Sequence, residues 1–189
     1  LICSSCCGAK RRVEIACPDD CTYLTGAHAA GWEGRVKERD RDQRRIAPHV
    51  QDLSEAQAEL FLAMLVGLGD MGRRQTDLDD RRLANALAAL RKTVETRVHG
   101  VIYEHRADDA RAQLLVPELA ELLTGASASG QTTPLPDAEQ LAVLKALDAT
   151  VLGTLNERGE PRAFIDMAAR LTAEALPATE AEPSRIVLA

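Results

Sequence analysis

Aromatic side chains are scarce in this sequence: two Phe, two Tyr and one Trp make up 3% of its 189 residues. Sandwiches and barrels lean on aromatic and β-branched residues, whereas here Ala and Leu supply most of the apolar side chains, which predicts helices. Long apolar runs are also missing. The longest, residues 60–66, spans seven positions, against the ~20 that a membrane helix needs, so no membrane partner is expected. A secretory signal pattern is absent as well, because Cys3 and Cys6 interrupt the start and the basic cluster Lys10, Arg11, Arg12 follows the apolar residues. Nor is there a His-x-Glu or His-Glu-x-x-His sequence, a Ser/His/Asp ordering or a phosphate loop, and no enzyme is expected. Cysteine is confined to one end: all five lie in the first 21 residues.

Hydrophobic residues at 46% suffice for a sizeable core in one domain. The net charge of −6 is unevenly spread, with residues 1–50 carrying about +2 and residues 51–189 about −8. A dedicated nucleic-acid binder shows a basic stripe and a high pI, and this chain has a pI of 5.3. Its bases cluster twice, at Lys10, Arg11, Arg12 and across residues 35–45, where Glu38, Asp40 and Asp42 interleave with them. The second cluster reads as a solvated helix with internal ion pairs.

Four segments follow from these patterns: a cysteine module over 1–30, a charged connector over 31–50, a helical body over 51–175 and an extended tail over 176–189. In the module, Pro18, Asp19 and Asp20 suit a helix start. That helix should weaken at Gly26, Gly31 and Gly34. In the body, Ser54 and Gln57 form a capping box ahead of Leu60, Phe61, Met64, Leu65 and Leu68, and Gly67, Gly69 and Gly72 should close the helix. Asp77 and Asp80 open a long helix with a stripe of Leu83, Leu87, Leu90, Val94, Val98 and Val101 or Ile102. A helix over 110–123, bent by Pro117, is followed by a small-polar loop over 125–136. Two more helices are predicted, one from Asp137 with Leu141, Leu144, Leu147, Val151, Leu152 and Leu155, and one over 163–175. In the tail, residues 184–188 read as a short extended segment in want of an apolar partner. The fold expected is mainly α, a bundle of five to six helices carrying a small N-terminal four-cysteine module.

Cys3 and Cys6 are separated by two residues, Cys17 and Cys21 by three, with a short half-exposed strand between the pairs. Two close pairs can each supply one edge of a tetrahedron around Zn2+. Cys17 and Cys21 would sit one turn apart at a helix start, where the dipole favours thiolate. Knuckle, strand and ligands in a helix's first turn resemble a treble-clef or zinc-ribbon finger, over residues 1–30 only. The resemblance implies a structural Zn2+ held by Cys3, Cys6, Cys17 and Cys21. The second pair has one residue more than the usual finger and Cys7 is a fifth thiol, so Cys7 and His28 stand as alternate ligands. Four thiolates also hold an iron–sulfur cluster, and thiols that bind no metal are the remaining reading. The odd count without an export signal fits a reducing cytoplasm.

Three other features stand out in the sequence. Glu95, His99 and Tyr103 fall at i, i+4 and i+8, with His105 beyond them; on one helical stripe they could relay protons or ligate a metal, or His105 could cap the helix end. Residues 67–72 spell G-x-G-x-x-G, but a helix rather than a strand precedes them, so a helix exit is the better reading. Trp32, between glycines, suits core packing or an exposed partner contact. The function expected is a structural-zinc accessory protein, cytoplasmic, that recognises another protein or a second copy of itself. The alternatives are an iron–sulfur electron-transfer subunit and a DNA-binding regulator using Lys10, Arg11 and Arg12.

Overall fold

The computed structural model describes residues 22–125, 134–158 and 160–173. Among them lie six helices of nine residues or more and one single turn, and no strand. In chain order these are α1 (Thr22–Val50), α2 (Glu55–Arg74), α3 (Asp80–Val98), the single turn α4 (Ala110–Gln113), α5 (Val116–Gly125), α6 (Asp137–Arg158) and α7 (Ala163–Leu171). The expected mainly helical fold is what the described residues show. The five cysteines, Lys10, Arg11, Arg12 and the tail over 176–189 lie outside them.

The chain divides into two compact units, Leu1–Arg41 and Asp42–Ala189. Helix α1 contributes to both. It runs for 29 residues through Gly31 and Gly34, where weakening was expected. An isolated glycine costs a helix only about 1 kcal/mol, and Glu33 with Lys37, or Asp40 with Arg44, offers charge pairs at i, i+4 spacing. The expected connector over 31–50 is therefore split. Its end belongs to the body: Ile46 is buried in the core and Val50 packs against it. Asp42 is fully buried, and its Oδ2 accepts from Nε and Nη2 of Arg170 at 3.0 and 2.8 Å. Arg45 reaches Asp42 at 3.5 Å and Glu157 at 2.9 Å.

In the body, α3 packs chiefly on α6 and α2 on α7, while α5 lies against α3 and α2. Leu83, Leu87, Leu90 and Val94 of α3 point into one core with Phe61, Met64 and Leu68 of α2, Leu144 and Leu147 of α6, and Phe164 and Ile165 of α7. The capping box of α2 is formed as expected: the Gln57 amide donates to Ser54 Oγ at 3.3 Å and the Ser54 amide to Gln57 Oε1 at 2.9 Å.

The glycines of α2 do not close it; the helix continues to Arg74. They are places of close approach instead. A Cβ on Gly67 would stand 2.5 Å from Leu122 of α5, and one on Gly69 would stand 2.7 Å from Thr172 Oγ1 and 3.1 Å from the Ala168 backbone. At Gly72 the same atom would collide with Ile165 of α7. Glycine here lets α5 and α7 press against the α2 backbone. The G-x-G-x-x-G spelling is helix packing.

Other differences are smaller. The stretch expected as one helix over 110–123 is divided, with Asp109 capping α4 and Pro117 in the first turn of α5, where its missing N–H costs nothing. Leu152, expected in the core, is exposed, and α7 ends at Leu171 rather than at residue 175.

Candidate functional site

The proposed metal ligands Cys3, Cys6, Cys17 and Cys21, and the alternate Cys7, lie outside the described residues; His28 falls within α1, with its side chain outside the description. Among the described residues, no three His, Cys, Asp or Glu side chains gather as a metal site. The same restriction applies to membranes: no described helix is long and apolar enough to cross one.

Helix α3 offers two candidate regions, one at each end. At its start, Asp79 is the N-cap, its Oδ1 accepting from the Arg82 amide at 2.8 Å. Asp77 was expected in that role. Asp80, the first helical residue, is fully buried and turns to another helix: Oδ2 accepts from the Phe164 amide at 2.7 Å and Oδ1 from the Ile165 amide at 3.1 Å. A carboxylate of α3 thus caps the N-terminus of α7, where free N–H groups and the helix dipole welcome negative charge. Arg162 completes the junction from the other side. Its guanidinium donates to the carbonyls of Gly72, Gln75, Thr76 and Leu78, at the end of α2 and in the loop after it. Burial pushes the Asp80 carboxyl above its ordinary value of 3.8, against the lowering pull of the Phe164 and Ile165 amides, and the nearby Asp166 and Asp79 charges push it further up. Both carboxylate oxygens are committed to backbone N–H groups, so this buried acid is a strut.

Beside it, an open cavity of about 390 Å³ is lined by Asp79, Arg81, Leu155, Asn156, Glu160 and Pro161. Its lining mixes charges of both signs with the apolar Leu155 and Pro161, without a nucleophile among the lining residues.

At the other end of α3, the expected stripe of Glu95, His99 and Tyr103 is broken, because the helix stops at Val98. Gly100 adopts φ 76°, its amide donates to Arg97 O and the Val101 amide to Thr96 O, both at 2.9 Å. This pair of bonds is a Schellman motif, which needs a left-handed residue where Gly100 stands. Glu95 remains on the helix, 3.6 Å from Arg91 and 4.0 Å from Lys145. His99 is the exposed C-cap. Tyr103 and His105 alone of the four come together, edge to face with ring centroids 4.8 Å apart. His105 does not cap the helix end; it lies beyond it, with its amide donating to Thr93 Oγ1 at 2.9 Å and its Nε2 buried without a hydrogen-bond partner. No proton relay or ligand cluster is assembled here.

After Gly100 the chain doubles back along α3. Tyr103 O accepts from Thr96 Oγ1, the His105 amide reaches Thr93, and the Asp109 amide reaches Asn85 Oδ1. Eleven helical positions are thus covered between residues 103 and 109, a rise of about 2.8 Å per residue on helix geometry, close to an extended strand. Val98, Val101, Ile102 and Tyr103 are 39%, 53%, 94% and 60% exposed, although the first three were expected on the core stripe.

On unit one, Trp32 is 62% exposed, with the Arg35 guanidinium 5.9 Å from its ring centroid, and Val36 one turn on is exposed too.

Comparison with protein-family models, curated proteins and solved structures gave no match to this chain.

Proposed function

We propose that this chain is a non-catalytic accessory protein, in which a structural zinc ion held by Cys3, Cys6, Cys17 and Cys21 orders the N-terminal segment and a helical surface recognises another protein. The observation that carries the reading is the exposed helical run of residues 31–41, with Trp32 and Val36 on it and only Glu38 partly covered. An exposed Trp beside an Arg is the pairing that protein interfaces use as an anchor. The buried acids of the body support the same reading, since Asp80 and Asp42 are spent on holding helices together.

Metal analysis and an absorption spectrum of protein purified without added metal test this. One zinc per chain and a colourless solution are expected. Iron with a band near ~400 nm would replace zinc by an iron–sulfur cluster. DNA binding with a steep salt dependence would shift the role to a regulator acting through Lys10, Arg11 and Arg12.

A further inference from the structure

The segment after Gly100 has the hydrogen-bonding pattern of a sheet edge. In extended chain, the N–H and C=O of one residue point to the same side, and successive residues alternate. Here the odd residues face the protein: Val101 N bonds Thr96 O, Tyr103 O accepts from Thr96, His105 N bonds Thr93, and Ala107 N bonds Gln113 Oε1 at 2.7 Å. The even residues Ile102, Glu104 and Arg106 are exposed, and no hydrogen bond or ion pair within the described chain engages them. One side of the segment is therefore held to the protein by one bond per odd residue, and the other is open. An open edge bearing a Val-Ile-Tyr run is a site for strand addition, and a liability when uncovered.

We propose that residues 184–188 of this same chain cover the edge as an added antiparallel strand. The two sequences are complementary in one register: Arg185 opposite Glu104, Ile186 opposite Tyr103, Val187 opposite Ile102 and Leu188 opposite Val101. Opposite charges meet, apolar residues meet, and the open positions 102 and 104 become the hydrogen-bonded pairs. Pro183, which cannot donate, falls just outside the ladder. A second copy of the 101–106 segment pairs less well, because the register that sets Ile102 against Ile102 leaves Glu104 opposite Gly100, without an opposite charge.

The tail has reach. Helix α7 begins beside Asp80 at the start of α3 and is capped at its end by Thr172, against Gly69 of α2, while Thr93 lies ~20 Å along α3 from Asp80. Eleven chain steps lead from Ala173 to Ser184, enough to span ~36 Å. Residues 101–106 run back along α3 toward its start, so the antiparallel sense is the one in which the tail meets His105 before Val101.

Amide hydrogen exchange on the full chain tests the pairing. The Ile102 and Glu104 amides should exchange roughly tenfold slower than an open surface segment, a protection on the scale of a surface hydrogen bond. Val187→Pro should return both to the open rate, while the α3 amides stay protected. Glu104→Lys should lower the protection by roughly two- to threefold, and adding Arg185→Glu should restore it. Open-rate exchange in the unaltered chain would overturn the proposal, as would protection that survives Val187→Pro. Protection that vanishes on dilution would overturn it too, by assigning the strand to another molecule.

Discussion

The two ends of α3 are built in opposite ways. At the start, Asp79 caps the helix, Asp80 is buried against α7, and Arg162 ties off the carbonyls after α2. At the finish, a glycine turns the chain outward and leaves four apolar side chains exposed. The first end caps its own helix with Asp79 and spends Asp80 on another element. The second closes its own helix with backbone bonds and releases an extended segment with one side open. A helix can thus be anchored where its polar groups reach other elements and remain available for pairing where they do not.

The contrast can be broken most severely at Asp80. Asp80→Ala leaves two buried amides without an acceptor, and should lower the unfolding free energy by about 2–4 kcal/mol in urea titrations. A loss below about 0.5 kcal/mol would mean that water replaces the carboxylate. Next comes the pair of valines on α3. Val94→Ala should cost about 1–3 kcal/mol and Val98→Ala less than about 0.5 kcal/mol, because only Val94 is buried. Equal losses would put the helix end back in the core. Gly100→Ala tests the exit turn: nothing stands within 4 Å of the added Cβ, so the expected loss of about 1 kcal/mol is backbone strain alone.

The smallest effect is the pH dependence that Asp80 contributes. Its carboxyl holds a proton more tightly in the folded chain than in the unfolded one. Its contribution is therefore fully present below the unfolded value of 3.8 and is lost as pH rises through the raised folded value. Relative to Asp80→Asn, the unaltered protein should gain stability as pH falls from about 7 toward about 4. A difference that stays constant, or moves the other way, would show that the two amides outweigh burial.

Local patterns were legible where neighbours in sequence are also the partners. The Ser54–Gln57 capping box and the Leu83, Leu87, Leu90, Val94 stripe involve residues three and four apart, and both are found as expected. Gly100 carried a legible signal as well, a glycine just past a helix end, but Val101 and Ile102 continued the apolar spacing and outweighed it. Only a helix continued past Gly100 would align Glu95, His99 and Tyr103 on one stripe. Gly67, Gly69 and Gly72 could not be read locally. A glycine that ends a helix and one that admits a neighbour look alike, and Leu122, Thr172 and Ile165 decide between them. Asp80 was assigned to its own helix because its true partners, Phe164 and Ile165, are 84 and 85 residues away.

By itself the sequence determined the helical class, the Ala/Leu core and the confinement of all five cysteines to the first 21 residues. These follow from composition and from spacings shorter than two helical turns. Tertiary structure alone decided that three glycines pack rather than terminate, that Asp80 serves α7, and that residues 101–106 form an edge with one side open. Each depends on groups brought together from distant parts of the chain, where burial and hydrogen-bond satisfaction override local preference.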